Sequence, residues 1–347
     1  MRSQPDAPLA PLTTLGLGGP ARLLVTAETE QEVVDAVRAA DTADGPVLVL
    51  GGGSNVVVPD EGFPGTVVHV ATGGTRATCD GTEVAAGEDW DSFVAACVRE
   101  GWCGVEALSG IPGRLGATPV QNVGAYGQDV AQTVTSVRAY DRRDDRVVTL
   151  PAVDCAFSYR SSTFKLDPGR WVVLAVSFGL HRGELSAPVR YAELARSLGL
   201  DVGARAPLAQ VREHVLRLRR GKGMVLDPAD PDSRSAGSFF TNPVLGPDQL
   251  AELLARVPDG VPLPTYPEGD GRTKVSAAWL IEHAGFRRGH GTGRAGISGK
   301  HSLALVNRGS ARTADLLAVA REVRDGVLAA YGVELVPEPV LVGGLTL

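Results

Sequence analysis

The sequence predicts an α+β protein, strand-rich in its first half and helical in its second. Three observations predict it. Short β-branched runs crowd residues 21 to 178, amphipathic helical stripes dominate after residue 247, and strands and helices do not alternate as a parallel βαβ sheet requires. Two glycine clusters, at residues 51–53 and 109–127, punctuate the strand-rich half.

Met1 to Leu12 is rich in Pro and Ala and reads as a disordered start. Ala21 to Val25 is the first apolar run. Thr29 and Glu32 form a capping box before a helix whose stripe is Val33, Val34, Val37 and Ala40. Val47 to Leu50 is a continuous apolar strand, and Val67 to Val70 and Glu83 to Ala86 are further strands. Glu88 to Glu100 is a helix with Trp90, Phe93, Val94 and Cys97 on one face and Gly101 as its stop. Val134 to Tyr140 and Arg146 to Leu150 form a hairpin around Asp144 and Asp145, and Trp171 to Phe178 is a strand. A helix from Pro207 to Arg220 ends at Gly221-Lys222-Gly223, and Asp227 to Ser235 is an Asp/Pro-rich linker. The second half carries helices over Pro247–Val257, Ser276–Ala284 and Ala311–Tyr331, a glycine-rich segment from Arg287 to Gly299, and a strand from Ser302 to Val306. Glu334 to Val340 is an edge-like strand broken by prolines.

Composition narrows the function. A chain of 347 residues divides into two or three domains, and 44% hydrophobic with 21% charged residues is ordinary for a globular protein. A formal net charge of -6 argues against a nucleic-acid surface as the main business. No run approaches the roughly 18 apolar residues of a membrane span, and the N-terminus lacks a signal-peptide core, so a cytoplasmic home with no membrane partner is expected. Cys79, Cys97, Cys103 and Cys155 form no Cys-x-x-Cys pair and have no histidine at zinc spacing. They read as small buried hydrophobes, with no metal site expected.

The glycine clusters invite a nucleotide. Gly51-Gly52-Gly53-Ser54-Asn55 follows a strand, but Val56 stands where a dinucleotide fingerprint needs its third glycine, and a β-branched run replaces the helix. No Gly-Lys-Ser/Thr ending makes a phosphate loop. Two readings stay open: a concave nest of N–H groups for a pyrophosphate, and a plain tight hairpin. Ser109 to Gly127 holds five glycines and two prolines, with Ile111, Leu115, Val120, Val123 and Tyr126 as apolar anchors. It reads as a shaped binding loop, against a buried connection with no ligand.

Single residues say less. Tyr159 and Arg160 at a strand end fit a surface pair as well as a site. Ser238 sits in no Gly-x-Ser-x-Gly elbow, so a hydrolase nucleophile is disfavoured and a turn hydrogen bond is the plain alternative. Pro339 holds Glu338 extended. Lys222, flanked by glycines after an arginine-rich helix, suits a phosphate, with a flexible exposed tail as its rival.

Taken in order, Leu-Gly-Gly-Gly-Ser-Asn (50–55), Gly-Ile-Pro-Gly…Gly-Ala…Gln-Asn-Val-Gly-Ala-Tyr-Gly (110–127), Tyr-Arg-x-Ser-x-Phe-Lys (159–165), Gly-Ser-Phe-Phe-x-Asn-Pro (237–243), Ala-Trp-Leu-Ile-Glu (278–282) and Pro-Glu (337–338) resemble the UDP-N-acetylenolpyruvoylglucosamine reductase family. Each motif alone is weak, and the ordered set covers nearly the whole chain. The resemblance implies a two-lobed FAD-binding module of the vanillyl-alcohol-oxidase type plus an α/β substrate-binding domain. The implied boundaries are 1–72 and 73–220 for the two lobes, 221–332 for the substrate domain and 333–347 for a C-terminal strand. Val189-Arg190-Tyr191 resembles the subclass whose mobile loop places a tyrosine over substrate.

Position by position, the resemblance implies that FAD is held by Gly51, Gly52, Gly53, Ser54 and Asn55, and by Ser109, Gly110, Ile111, Pro112, Gly113, Gly116, Ala117, Thr118, Asn122, Gly124 and Ala125. It implies Arg160, Ser238 and Glu338 as catalytic, and Tyr126, Tyr159, Tyr191, Lys222, Asn242 and, more weakly, His301 as holding the UDP-sugar. NADPH is the implied reductant, and a monomer is expected. Neither cradle segment contains His or Cys, so FAD should be dissociable. The implied reaction reduces a vinyl ether: hydride reaches its terminal carbon, charge builds on the neighbouring carbon and its carboxylate, Arg160 grips that carboxylate, and Ser238 gives the proton. Glu338 beside that carboxylate would keep its own proton and donate a hydrogen bond. One departure stands out: Pro339-Val340 replaces the Val-Arg that follows the glutamate in much of the family, leaving Arg294 or Arg160 alone to serve. The rival readings are a different oxidase on the same flavin fold and a nucleotide-binding regulatory module without catalysis.

Overall fold

The computed structural model describes all residues except Cys79, Asp80 and Thr292. It divides into two compact units. The first is Met1–Ala7, Ala21–Gly53 and Pro64–Gly221; the second is Pro8–Pro20, Ser54–Phe63 and Lys222–Leu347. Among the described residues no helix is long and apolar enough to cross a membrane.

Two larger sheets build most of the first unit. In one, Arg2–Pro8 lies at the edge beside Pro20–Ala27, followed by Phe63–Val70 and then Val47–Leu50. The N-terminus is therefore a strand and not a disordered start. Its prolines cannot donate to a ladder and are tolerated because the strand is at an edge, and Ala7 is buried there. Val47–Leu50 runs parallel to the other strand, with Leu50 opposite His69, so the chain leaves the sheet at Gly51 with a fixed direction. The second sheet is antiparallel and runs in the order Arg146–Pro151, Val134–Asp141, Trp171–Phe178, Gly81–Ala85, Thr75–Thr78. The expected hairpin turns at Asp145, whose φ is +47°.

One core spans this unit, with Val25, Val68, Val84, Trp90, Val94, Leu115 and Phe178 among its buried members. The helix Trp90–Arg99 is capped by Asp89, whose carboxylate accepts the Ser92 N–H at 2.9 Å. The helix Glu30–Thr42 is capped by Thr29, which accepts the Glu32 N–H at 3.2 Å. The expected capping box closes one residue early, because Glu32 returns to the Glu28 N–H at 2.8 Å. A smaller cluster of Val189, Leu194, Val211 and Val215 packs the helices Ala192–Leu198 and Leu208–Gly221 together, with Tyr126 against it. Of the cysteines, Cys97 and Cys155 are buried as expected, their thiols pushed up by burial to about 12 and about 11. Cys103 is only half-buried, because it sits on the short exposed pairing of Trp102–Cys103 with His181–Arg182. Cys79 lies outside the described residues.

The second unit packs Pro247–Leu254, Ala277–His283 and Thr313–Tyr331 around a three-stranded sheet, Ser235–Ser238 beside Ala304–Asn307 beside Ala295–Ile297. The last strand falls inside the segment read as glycine-rich. Asp60 explains why Ser54–Phe63 belongs here. Its carboxylate accepts the N–H groups of Thr313 at 2.7 Å and Ala314 at 3.0 Å, capping the longest helix from 253 residues away. Val56–Val57 pairs in parallel with Val340–Leu341, which ties the C-terminal strand into the same unit.

Candidate functional site

In the first unit the two glycine-rich segments lie back to back. A Cβ on Gly52 would stand 2.8 Å from Gly113 Cα, and one on Gly51 3.2 Å from Arg114 Cβ, so contact between the backbones requires the absence of a side chain at 52. Gly53 and Gly113 have φ of +58° and +127°. Among the described residues no backbone carbonyl takes up the N–H groups of Gly52 or Gly53. Neither cradle segment holds an Asp or Glu, and Arg114 adds a cation. Free donors at Gly52 and Gly53, close backbone approach and two segments without an acidic residue of their own fit the diphosphate of FAD. His69, opposite Leu50, is held below the usual imidazole range by burial and by Arg114.

The loop is anchored on both sides. Its Gly113 carbonyl accepts the Trp90 N–H at 3.1 Å and its Leu115 N–H donates to Glu88 O at 2.9 Å. Gly116 sits against Ala86, where a Cβ would come within 2.4 Å of the Ala86 Cβ. At the start of the loop the Gly110 N–H donates to Asp91 at 2.6 Å, and Arg212 grips the same carboxylate at 2.6 and 2.9 Å. Burial pushes Asp91 up, but Arg212 and the Gly110 N–H outweigh it and leave it below the usual carboxylate range. Ser109 Oγ donates to Glu106 O at 2.7 Å, Thr118 Oγ1 to Leu115 O at 2.8 Å, and Asn122 spans Ser158 O and the Ala131 N–H. These three side chains shape the loop from inside. Ile111, Pro112, Ala117, Gly124 and Ala125 complete it, the last two in a hairpin with Gln128–Asp129.

Backbone strain marks two further residues. Among the described residues, eight other than glycine have positive φ. Asx residues adopt that conformation readily, and only Tyr126 (+51°), Ala156 (+46°) and Arg160 (+52°) remain once they are set aside. Tyr126 takes it because, with Gly127 at +82°, it forms the tip of the hairpin. Arg160 and Tyr159 form the tip of a second tight turn between Ser158 and Ser161. That turn is clipped to the glycine-rich loop: Arg160 Nη2 donates to Gly124 O at 3.1 Å, and Ser162 Oγ to Val120 O at 2.6 Å. The Tyr159 ring lies 5.8 Å from the Arg160 guanidinium carbon. Tyr191 meets Tyr126 edge to face with ring centroids 5.5 Å apart. Burial pushes the Tyr126 phenol up to about 12 against the pull of Arg219, whose own burial brings it down to about 10.

In the second unit, strand register brings Ser238 and Glu338 together. Gly237, at φ +73°, forms a bulge that breaks the register between Ser235 and Ser238. Phe239 then donates its N–H to Leu303 O at 2.7 Å and accepts the Glu338 N–H at 2.8 Å. Asn55 secures the other side of Glu338, its Nδ2 donating to Glu338 O at 3.3 Å and its carbonyl accepting the Val340 N–H at 2.9 Å. Ser54 precedes it. Asn55 is thus tied to the catalytic candidate Glu338, which the cofactor assignment alone does not anticipate. His301 stands in the turn before Ala304, the residue opposite Ser238. Asn242 Oδ1 accepts the Ala277 N–H at 2.9 Å, at the first residue of the Ala277–His283 helix. Lys222 is half-buried and directly follows the Leu208–Gly221 helix.

Arg294 does not reach this shelf. Ser238 pairs with Ala304, whereas the Arg294 carbonyl accepts the Arg308 N–H at 2.8 Å. Four residues of strand separate the two rows, about 13 Å at roughly 3.3 Å per residue. Sequence reasoning also missed Glu106, Gln128, Asp91 and Arg212, which organise the loop without contributing to a motif. The one signal was Glu106 standing alone among Gly, Val, Ala and Leu.

Residues 228–342 match the family model for the UDP-N-acetylenolpyruvoylglucosamine reductase C-terminal domain, and residues 21–151 match an FAD binding domain. UDP-N-acetylenolpyruvoylglucosamine reductase of Thermobifida fusca is 59% identical over 348 residues, covering 97% of each chain. That of Streptomyces coelicolor is 59% identical, covering 97% of this chain and 90% of its own. Among solved structures, UDP-N-acetylenolpyruvylglucosamine reductase from Thermus caldophilus matches with a TM-score of 0.68 at 28% identity, over 98% of this chain and 99% of the other.

Proposed function

Since the chain belongs to the UDP-N-acetylenolpyruvoylglucosamine reductase family of FAD-dependent oxidoreductases, we propose that it reduces UDP-N-acetylglucosamine enolpyruvate to UDP-N-acetylmuramate with NADPH, as a monomer in the cytoplasm, for peptidoglycan precursor synthesis. The observation that carries this reading is the placement of Ser238 and Glu338 on neighbouring segments, joined where the Glu338 N–H donates to Phe239 O.

FAD, once reduced by NADPH, supplies the hydride equivalent that adds to the terminal carbon of the enolpyruvyl vinyl group. Gly52, Gly53 and the 109–127 loop would hold its diphosphate and ring through backbone groups, and neither segment contains a His or Cys to bond it covalently. Arg160 grips the substrate carboxylate, onto which the new charge spreads as an enediolate. Its strained turn fixes the guanidinium before substrate arrives, which avoids reorganisation during the reaction. Ser238 Oγ–H gives the proton to the α-carbon, closing the balance of one hydride and one proton across the double bond. A hydroxyl is a weak acid, and it serves here because the accepting carbon is strongly basic and Lys222 lends positive charge. Glu338 acts as a neutral hydrogen-bond donor to the enediolate. Tyr126, Tyr159, Tyr191, Lys222, Asn242 and His301 hold the UDP-sugar.

The test is a purified holoprotein, yellow with FAD that acid releases. NADPH should bleach it without oxygen, and the enolpyruvyl substrate should restore the colour with formation of one UDP-N-acetylmuramate per flavin. A flavin that oxygen reoxidises and the UDP-sugar does not would favour a different oxidase.

A further inference from the structure

Glu106 is a carboxylate with 0% exposure, set three residues before Ser109. Three hydrogen-bond donors converge on it. Oε2 accepts the Gly104 N–H at 2.6 Å; Oε1 accepts the Gln128 side-chain NH2 at 2.9 Å and the Ala187 N–H at 2.8 Å. Gln128 Oε1 in turn accepts the Ala107 N–H at 2.8 Å. These bonds tie together three places: the entrance of the glycine-rich loop, its exit just beyond the Tyr126–Gly127 tip, and a segment four residues before Tyr191. Tyr126 and Tyr191 meet at that junction with their rings at 90°. A Cβ on Gly127 would lie 3.2 Å from Arg190 Cβ and 3.5 Å from Tyr191 N, so the two segments also touch through backbone. Burying a carboxylate is costly, and an apolar side chain would fill the same space more cheaply. Its acceptors do what packing cannot, which is to fix the distance between two segments by direction-dependent bonds.

We propose that Glu106 is a positioning residue for the UDP-sugar: its carboxylate sets the 187–191 segment against the loop exit, so that Tyr126 and Tyr191 present one aromatic edge to substrate. The inference rests on the reading of those tyrosines given above. Glu106→Gln keeps the volume but puts an NH2 where an acceptor stood, leaving one donor of the knot unmatched. In the FAD-loaded full chain the Kd for UDP-N-acetylglucosamine enolpyruvate should rise about 10-fold. The FAD Kd and the rate of flavin reduction by NADPH should stay within about 2-fold. In a Tyr191→Ala background the same change should add less than about 2-fold, because the residue it acts through is gone. If Glu106→Gln does not accumulate, Ala187→Pro, which deletes one N–H of the knot, carries the same expectations. An equal loss in both backgrounds, or a loss of FAD with substrate binding intact, overturns the inference. A Tyr191→Ala chain that binds substrate normally overturns the tyrosine assignment and the inference with it. Wild-type holoenzyme that does not bind the UDP-sugar contradicts the proposed function instead.

Discussion

The two units offer opposite kinds of group to the proposed chemistry. The first presents backbone: Gly51 and Gly52, whose missing side chains let their segment touch Gly113 and Arg114, with Ser109, Thr118 and Asn122 turned inward to brace the loop. The second presents side chains: Ser238 on a strand next to a bulge, and Glu338 held by backbone bonds to Phe239 and Asn55. A cofactor's diphosphate is recognised by many weak donors at fixed spacing, which backbone supplies well. A proton transfer needs one group of the right acidity at one place, which only a side chain can supply. The difference implies that substitutions in the contacting glycine segments of the first unit should act on FAD retention, and those at Ser238 and Glu338 of the second on substrate turnover.

The largest effect should come from Ser238→Ala, which should lower turnover about 10²- to 10⁴-fold and leave the protein yellow. Arg160→Ala sharpens the comparison, since it removes a charged side chain from a strained turn in the unit that holds the glycine segments. It should cost about 10²- to 10³-fold in kcat, measured in steady state, without loss of FAD. Gly52→Ala forces a Cβ to within 2.8 Å of Gly113 Cα. Overpacking costs about 1–3 kcal/mol, which should weaken FAD binding about 10- to 100-fold, as read by flavin fluorescence on titrating the apoprotein. Asp91→Asn keeps the shape but weakens the tie from Gly110 to Arg212. Because both partners are partly exposed, about 1 kcal/mol is expected, visible as a lower Tm and up to about tenfold weaker FAD binding.

The smallest effect is in pH. Tyr126 holds its proton to about 12 in the folded chain, against about 10 when unfolded. Its contribution to stability is therefore fully present below pH 10 and is lost as pH climbs towards 12, where the unfolded chain ionises first. Ultraviolet titration should show a late-ionising tyrosine that disappears in Tyr126→Phe.

Much of the fold was legible because it is local. Trp171 to Phe178 reads as a strand from its β-branched and apolar run, and the Leu208–Gly221 helix from its stripe, each within a residue of the boundaries found. The glycine clusters were legible as unusual backbone, though not as partners in contact. What the sequence hid was long-range. Asp60 capping Thr313, Asn55 securing Glu338 and Glu106 holding Ala187 depend on contacts 253, 283 and 81 residues apart, and no local pattern records them. Arg2–Pro8 was hidden differently, since its prolines suppress strand propensity and only a neighbouring strand makes an edge position available. Arg294 was a reasonable substitute by residue type, and only register places it four residues from the Ser238 row.

The central claim is a division of labour, and anaerobic stopped-flow absorbance on Ser238→Ala holoenzyme tests it most directly by locating the lost turnover. The account predicts that NADPH bleaches the flavin at the wild-type rate, while reoxidation by UDP-N-acetylglucosamine enolpyruvate slows about 10²- to 10⁴-fold. Slowed bleaching, or reoxidation at the wild-type rate, would contradict it.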